Sequence, residues 1–240
     1  MEFTRAVLAA NREIFSFLQT ADDSLFQDGG QVGFGGDKSL LIDLIAEKIF
    51  IKHLSGFGRI NSEECGLTGS GRDEIVIDPI DGSSNAASGF PYYGTSVALK
   101  SDNKVAASVV CNMTNGEYFY KNSSGIYHRQ LFDDRVLSVN REGVSSVGLF
   151  EKAYSFPREA KKLRKMGFKF RSPGALALSL AYAHSVRFVV AAGKLREYDI
   201  IAGLHLCEDL NVFVSERLII ISREKTVFDR LKAGFTKEVR

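Results

Sequence analysis

Two aspartates three residues apart stand at the end of an apolar run and are followed by small polar residues. The octet Asp78–Asn85 reads Asp-Pro-Ile-Asp-Gly-Ser-Ser-Asn and follows the β-branched run Ile75–Ile77. Because Mg²⁺ takes oxygen ligands, the carboxylates of Asp78 and Asp81, with the carbonyl of Ile80 between them, suit a site for a hard metal ion. A D-x-x-D pattern on a turn is also common as a solvated cap, so a metal site needs further acidic residues.

The residues after Asp81 predict an anion-binding turn beside this metal site. Gly82, Ser83 and Ser84 could start a helix whose free N–H groups point at a phosphate. The two serines would serve as caps and hydroxyl donors. A cation site next to an anion site indicates a magnesium-dependent enzyme that acts on phosphate.

Further acidic residues flank the octet along the chain. Glu63 and Glu64 end a predicted strand about fifteen residues earlier, and a hairpin-like return would bring them to Asp78. Asp199 precedes a small-residue helical start that follows a predicted buried strand. Several carboxylates on rigid supports are what two neighbouring metal ions require.

These motifs resemble those of the magnesium-dependent, lithium-sensitive sugar phosphatases of the inositol monophosphatase superfamily. The family's Glu-Glu pair, its Asp-Pro-Ile-Asp-Gly-Thr/Ser-x-Asn segment and its later Asp before small residues appear in order as Glu63–Glu64, Asp78–Asn85 and Asp199–Gly203. The resemblance covers the chain from about Gly33 to the last predicted strand. It implies the α+β sugar phosphatase fold, a layered α-β-α-β-α sandwich, and hydrolysis of a small polyol or sugar phosphate by metal-activated water.

The resemblance implies two Mg²⁺ positions that share one carboxylate. Glu63, Asp78 and the carbonyl of Ile80 would hold the first ion. Asp78, Asp81 and Asp199 would hold the second.

The resemblance also implies the residues that activate water. Asp43 and Ser83 would orient and deprotonate the attacking water, and Glu64 would support them. Ser83 stands where the family more often has threonine. A serine offers the same hydroxyl, so the departure leaves the mechanism intact.

A third, loosely bound Mg²⁺ is expected from the charges. Four ligand carboxylates balance two Mg²⁺ ions and leave a phosphate dianion uncompensated. Glu63 and Asp37, on a glycine-rich loop, are its natural ligands. Such a loop would fold over bound substrate.

A glycine-containing turn resembles the family's substrate-binding turn. Its residues Ser172, Gly174 and Ala175 are expected to line the substrate pocket.

The residues expected to select the substrate are compatible with several phosphate esters. Seven positions before Asp199, where animal inositol monophosphatases have an acidic residue, this chain has Ala192. The segments Gly36–Glu47 and Gly193–Arg196 look more like the archaeal branch, which hydrolyses both fructose 1,6-bisphosphate and inositol phosphate. Lys194 and Arg196 could neutralise a second phosphate. Fructose-1,6-bisphosphatase and 3′-phosphoadenosine-5′-phosphate phosphatase therefore stand as alternatives to inositol monophosphatase.

The elements that position these residues follow from hydrophobic spacing. Apolar residues at helical intervals over residues 3–18 and Ser39–Leu54 predict two opening helices, separated by a flexible glycine-rich loop over residues 28–37. Short apolar runs from Arg59 onward predict a largely antiparallel sheet, with Asn115-Gly116 as a hairpin turn. Strands and helices alternate after about residue 130.

The predicted organisation is two halves with a continuous interface. The N-terminal half, residues 1–130, carries most metal ligands. The C-terminal half, residues 131–240, carries Asp199 and the substrate-binding turns. A site built between the halves would be well placed.

Composition excludes several classes of protein. The 240 residues carry 31 basic and 29 acidic side chains, so no overall field marks a nucleic-acid or membrane binder. No run approaches the roughly 18 apolar residues of a membrane span. Cys65, Cys111 and Cys207 are odd in number and lack CxxC spacing, which indicates reduced thiols. We expect a soluble, cytoplasmic protein, and the family resemblance implies a homodimer.

Parts of the sequence are also compatible with nucleotide hydrolysis, nucleic-acid binding or a regulatory binding role. Gly33–Ser39 superficially resembles a phosphate loop, but Asp37 replaces the glycine before Lys38 and no strand is predicted ahead of it. The basic cluster Lys161–Lys165 is most simply the solvated face of a helix, so nucleic acid is not an expected partner. A regulatory protein that keeps the fold but binds protein or RNA is the alternative of a different class. Converging carboxylates argue against it, because binding alone does not need them.

Overall fold

The computed structural model describes residues 2–137 and 145–236, which contain seven α-helices and fourteen strands. The helices are α1 (Glu2–Thr20), α2 (Leu41–Leu54), α3 (Ser83–Ala87), α4 (Pro157–Lys165), α5 (Leu176–Ala181), α6 (Glu197–Leu206) and α7 (Lys225–Thr236). The strands are β1 (Asp28–Val32), β2 (Lys38–Leu40), β3 (Arg59–Ser62), β4 (Gly66–Thr68), β5 (Glu74–Asp81), β6 (Gly94–Ser101), β7 (Lys104–Asn112), β8 (Glu117–Asn122), β9 (Gly125–Gln130), β10 (Val147–Glu151), β11 (Lys169–Arg171), β12 (Val189–Ala192), β13 (Asn211–Ser215) and β14 (Leu218–Ser222).

Two sheets alternate with three layers of helices. The larger sheet has the strand order β4-β3-β5-β6-β7-β8-β9, and the smaller has β11-β10-β12-β14-β13. Helices α1 and α2 pack on one face of the larger sheet, α5 and α6 fill the space between the sheets, and α4 and α7 cover the outer face of the smaller sheet. The predicted α-β-α-β-α sandwich is therefore confirmed.

The strands are apolar on both faces because helices cover both sides of each sheet. In β12, Val189 and Ala191 pack toward α5 and α6, whereas Val190 packs toward α4 and α7. Successive side chains of a strand point to opposite faces, so a short continuous apolar run fills two cores at once. The core thus lies on both faces of the sheets whose strands end at the predicted site.

The octet lies at the end of β5, where the strand is irregular. Pairing with β6 is regular up to Asp78 and shifts register before Asp81. Pro79 occupies the shift, which suits a residue that has no N–H to give to a ladder. Asp78, Ile80 and Asp81, which span the irregularity, all line the same cavity.

The strand that precedes Glu63 runs parallel to β5. Ser62 is aligned with Ile77, and the N–H of Glu63 donates to the carbonyl of Ile77 at 3.1 Å. The predicted hairpin-like return between Glu63 and Asp78 is therefore wrong. The acidic residues still meet, because the carboxyl ends of parallel strands lie at the same edge of a sheet.

The glycine-rich segment 28–37 is more ordered than predicted. Strands β1 and β2 form an antiparallel ribbon, so a strand does precede Gly33, contrary to expectation. The N–H groups of Phe34 and Gly35 donate to the carbonyls of Glu64 and Glu63 at 2.9 and 2.8 Å. These hydrogen bonds hold the tip of the ribbon over the end of β3.

The predicted elements in the rest of the described chain are largely confirmed. Gly116 has φ 72° in the turn between β7 and β8, as expected for the Asn115-Gly116 hairpin. The larger sheet uses residues 59–130 and the smaller uses 147–222, while α5 and α6 pack against both. The division into halves at residue 130 stays a prediction, and residues 138–144 and 237–240 of the C-terminal half lie outside the described part.

Within the described residues, no helix is long and apolar enough to cross a membrane.

Candidate active site

The predicted site residues meet in a cavity of about 660 Å³ between the two sheets. The carboxyl ends of β3, β5, β10 and β12 open into it, together with the first turns of α2, α3 and α6. Of the predicted site residues, those that line it are Asp37, Asp43, Glu63, Glu64, Asp78, Ile80, Asp81, Gly82, Ser83, Ser84, Ser172, Gly174, Lys194, Arg196 and Asp199. Ala175 is the exception: it is buried, and Leu176 lines the cavity in its place.

Three carboxylates converge closely enough to hold one metal ion. Glu63, Asp78 and Asp199 each offer an oxygen, and these oxygens lie within 4.8 Å of one another. Burial raises the pKa of Asp78 well above its usual value, and the charges of Glu63 and Asp81 raise it further. A buried cluster of oxygen donors that repel one another fits a hard divalent cation, which would relieve the repulsion.

Glu63 shows the same effect at the end of β3. Burial raises its pKa to about 7, and Arg196 opposes this rise while Asp199 adds to it. A divalent ion would hold this carboxylate in its ionised form at neutral pH.

Asp81 has a second partner besides any metal ion. Its two carboxylate oxygens accept hydrogen bonds from the N–H groups of Leu176 and Leu178, each at 2.9 Å. It thereby satisfies the free N–H groups in the first turn of α5, as a capping carboxylate does. Burial still raises the pKa of Asp81 well above its usual value. Its place in the second metal position stays a prediction.

Asp43 and Ser83 are in direct contact, as the resemblance implied. Asp43 lies in the first turn of α2, where one carboxylate oxygen accepts the N–H of Leu40 at 2.8 Å. The hydroxyl of Ser83 lies 2.9 Å from its other oxygen. Burial raises the pKa of Asp43 to about 7, although the hydrogen bonds from Leu40 and Ser83 act to lower it.

The Ser83 hydroxyl also lies 2.9 Å from the carbonyl oxygen of Ile80. A hydroxyl has one proton, so it can donate to only one of these acceptors at a time. When Asp43 is ionised, Ser83 donates to it and leaves the Ile80 carbonyl available as a metal ligand. When Asp43 is protonated, it can donate to Ser83, which then donates to Ile80. The Ser83 hydroxyl thus connects Asp43 to the carbonyl that was predicted as a metal ligand.

Glu64 lies beside this pair and anchors the β1–β2 ribbon. The hydroxyl of Ser39 donates a hydrogen bond to its carboxylate. Burial raises the pKa of Glu64, and its charge in turn raises the pKa of Asp43. A supporting role for Glu64 is compatible with these contacts and stays a prediction.

The serines of the octet do not cap α3 as predicted. The residue at the N-cap is Gly82, with φ 91°, and no side-chain hydrogen bond is made there. A Cβ at this position would lie 3.1 Å from the Cβ of Ala175 and 3.2 Å from the carbonyl oxygen of Tyr92. Glycine is therefore required by both conformation and space. The Ser83 hydroxyl is left to face Asp43.

The turn that was predicted to bind substrate is held by Glu151, which was not predicted from the sequence. Glu151 ends β10 with 3% of its surface exposed, and it accepts the N–H of Gly174 at 2.9 Å. The hydroxyl of Ser179 also donates to it. An acidic residue at the end of an apolar strand was the available signal. Its partners lie 23 and 28 residues away, so the sequence did not indicate them.

Arg196 makes contacts with acidic residues that were not predicted from the sequence. Its Nη1 lies 2.6 Å from Asp37 and 2.5 Å from Glu63, and its Nε and Nη2 each lie 3.0 Å from the carboxylate of Asp199. The guanidinium is therefore engaged by three acidic residues, and the prediction that Arg196 neutralises a second phosphate stays a prediction. Lys194 is exposed and lines the cavity.

Fold and site together define a class of protein, a metal-dependent phosphate-ester hydrolase built as a five-layer sandwich. A family model described as the inositol monophosphatase family matches residues 40–215. The chain belongs to this family. It is a phosphoric monoester hydrolase that acts on small phosphate esters, and the family depends on metal ions.

The chain is also similar to individual relatives and solved structures. A Methanothermobacter thermautotrophicus protein named fructose-1,6-bisphosphatase/inositol-1-monophosphatase is 30% identical over 219 residues, which are 80% of this chain and 77% of the relative. The Nus factor SuhB of Xylella fastidiosa is 29% identical over 197 residues, 73% of this chain and 67% of that protein. The Thermotoga maritima IMPase structure shares the fold with a TM-score of 0.79 at 22% identity, over 98% of this chain and 96% of that one.

Proposed function

We propose that the chain hydrolyses a small polyol or sugar phosphate in a reaction that requires Mg²⁺ and is inhibited by Li⁺. The observation that carries the proposal is the buried group of Glu63, Asp78 and Asp199, which opens into the same cavity as Asp43 and Ser83. Oxygen donors without histidine or cysteine favour Mg²⁺ over softer ions.

Each part of the cavity has a task in this proposal. Bound Mg²⁺ would supply positive charge to the phosphate and lower the pKa of an attacking water. The ionised Asp43 accepts a hydrogen bond from Ser83, and this pair can orient that water and take up its proton. The first N–H groups of α3 have no acceptors within the helix, so Gly82, Ser83 and Ser84 would receive phosphate oxygens.

The proposal is tested by measuring phosphate release with and without a chelator. We expect activity to be lost on removal of metal by chelation and to return when excess Mg²⁺ is added. Addition of Li⁺ at constant Mg²⁺ is expected to inhibit. Activity that persists in the chelator would contradict the proposal.

A substrate with two phosphates is a second candidate, because three lysines line the cavity and only one of them, Lys38, forms an ion pair within the described residues. Lys152 and Lys194 are both exposed at the ends of β10 and β12, and Ala192 offers no acid that could bind a polyol. Lys152 and Lys194, which form no ion pair within residues 2–137 and 145–236, would suit another anionic group beside the reacting phosphate.

A panel of inositol 1-phosphate, fructose 1,6-bisphosphate and 3′-phosphoadenosine 5′-phosphate distinguishes these substrates. If a second phosphate is bound, Lys152→Met should raise KM for the bisphosphates by roughly tenfold, since a charged hydrogen bond contributes about 1.5–3 kcal/mol. KM for inositol 1-phosphate should change little. Lys169→Met, which removes an exposed lysine outside the cavity, is the control. An equal effect on all three substrates would exclude a second phosphate site at Lys152.

The proposal includes a homodimeric assembly and a cytoplasmic location. The family resemblance supports a homodimer. Three free cysteines, of which Cys111 and Cys207 are buried, support a reducing cytoplasmic location.

A binding role is the alternative of a different class. The relative named Nus factor SuhB is the observation that favours it. A variant that cannot hold metal separates the two functions, because a cellular phenotype fully rescued by Asp78→Asn would not depend on catalysis.

A further inference from the structure

Arg196 places a positive charge inside the group of acidic residues that the metal ions would share. It is the N-cap of α6, and 18% of its side chain is exposed. Its Nε and Nη2 form a paired interaction with Asp199, while Nη1 reaches Asp37 and Glu63. All three carboxylates were predicted as metal ligands.

The position of Nη1 coincides with the place expected for a third metal ion. A third ion was predicted to bridge Asp37 and Glu63. A single nitrogen of Arg196 lies within 2.6 Å of a carboxylate oxygen of each. A bridging Mg²⁺ would need to lie about 2.1 Å from the same oxygens. The guanidinium and the ion cannot occupy this position together.

The surrounding backbone leaves little space for both cations. A Cβ on Gly35 would lie 2.9 Å from the Glu63 carboxylate and 3.2 Å from Nη1 of Arg196. The N–H of Gly35 donates to the carbonyl of Glu63 at 2.8 Å, so this part of the ribbon is fixed on the end of β3. The ribbon, Glu63 and Arg196 are packed together.

The charges of the residues around Arg196 also bear on whether a third ion binds. Five carboxylates line this part of the cavity, and Arg196 is the one cation that ion-pairs with them in the described residues; the five are Asp37, Glu63, Asp78, Asp81 and Asp199. An arginine keeps its charge at any pH where the protein is folded. Arg196 thus offsets one negative charge at Asp37 and Glu63, the place where a third cation was predicted.

We propose that the guanidinium of Arg196 takes the place of the third cation, so that this enzyme works with two Mg²⁺ ions. Arg196, rather than a loosely bound ion, then holds Asp37 and the tip of the β1–β2 ribbon against Glu63. This inference rests on the proposed metal-dependent function.

The experiment counts bound ions without measuring catalysis. Mn²⁺ replaces Mg²⁺ as a spectroscopic probe, inorganic phosphate is added as the product anion, and free Mn²⁺ is measured by electron paramagnetic resonance. We expect the wild-type protein to bind two ions and Arg196→Met to bind three, because the substitution exposes Asp37 and Glu63 to a further ion. The double variant Arg196→Met with Asp37→Asn should return to two.

Two further variants make the count decisive. Arg72→Met removes an exposed arginine that is paired with Asp102, and it should bind two ions like the wild type. Asp37→Asn alone should also bind two, because Asp37 holds arginine and not metal. This variant keeps Arg196 in place, so the test does not depend on the folding of Arg196→Met.

Each other outcome overturns the inference. Three ions bound by the wild-type protein, a loss of one ion in Asp37→Asn, or two ions in a folded Arg196→Met would each show that Arg196 does not replace a metal. The absence of any bound ion in the wild-type protein would contradict the metal-dependent function itself, which distinguishes that failure from the failure of this inference.

Discussion

Asp78→Asn is expected to reduce phosphate release by at least about a thousandfold. Asp78 is the carboxylate shared by both proposed metal positions, and metal-ion catalysis contributes several kcal/mol, of which each 1.36 kcal/mol is tenfold in rate. Asparagine keeps the shape of the side chain but loses the charge that binds the ions. The measurement is kcat/KM for phosphate release at saturating Mg²⁺.

The fold should survive this substitution and even gain stability when metal is removed. Burial and the neighbouring acidic residues raise the pKa of Asp78, so its ionised form destabilises the metal-free fold once the pH exceeds the unfolded value. The side chain of Asp78 accepts no hydrogen bond from the described residues, so asparagine breaks none. We therefore expect Asp78→Asn to melt at or above the wild-type temperature in chelator and to lose the rise in melting temperature that Mg²⁺ gives the wild type.

Two comparisons sharpen the interpretation. Asp81→Asn also changes a residue that accepts hydrogen bonds from Leu176 and Leu178, so its effects on activity would be mixed with effects on α5. Asp23→Asn removes an exposed carboxylate outside the cavity and should leave activity unchanged. If Asp78→Asn kept a tenth or more of wild-type activity, the metal site would have to lie elsewhere.

Asp43→Asn is expected to reduce kcat by about 10²- to 10⁴-fold, the usual contribution of general acid–base catalysis. Only the ionised carboxylate can take up a proton through Ser83. Because burial raises the pKa of Asp43 to about 7, the carboxylate is protonated on the acid side of this value. The wild-type kcat should therefore rise as the pH increases through about 7, and Asp43→Asn should lack this rise. The measurement is kcat between about pH 5.5 and 9 at saturating Mg²⁺.

Ser83 provides a matched pair of controls for the same mechanism. Ser83→Thr keeps the hydroxyl that lies 2.9 Å from Asp43 and should retain most of the activity. Ser83→Ala removes it and should resemble Asp43→Asn. Equal activity of the alanine and threonine variants would mean that the hydroxyl does not take part in the reaction.

Ionisation of Asp43 at higher pH is expected to raise activity and to lower the stability of the fold. A carboxyl whose folded pKa is raised favours the fold in its protonated form, so this contribution is present below the unfolded value of 3.8 and is lost as the pH rises through about 7. Metal-free wild-type protein should lose this contribution over that range, and Asp43→Asn should not. The ionised form of Asp43 is therefore expected to destabilise the fold and to favour catalysis.

The candidate metal ligands of the octet could be predicted because one short segment carries them. Pro79 and Gly82 set the irregular strand end and the left-handed turn of the octet, and both effects act on neighbouring residues of the chain. The contact between Asp43 and Ser83 spans 40 residues, and it was predicted only through the resemblance.

The parallel pairing of β3 and β5 could not be predicted from the sequence. Both a hairpin and a parallel pair satisfy the same apolar pattern, since the period of a strand is two residues in either direction. The direction was decided by β4, which pairs on the outer side of β3 and lets the chain cross back.

The sequence by itself indicated the family and the oxygen ligands, because those depend on residue types at fixed local spacing, and the layered fold was implied by the family resemblance. Only the tertiary structure decided which charges meet. Arg196 and Asp37 are 159 residues apart, and their ion pair exists because α6 and the β1–β2 ribbon converge on the end of β3. Electrostatic interactions depend on distance and burial in space, which no local pattern encodes. The same reason explains why Glu151 and the capping role of Asp81 appeared only in the folded chain.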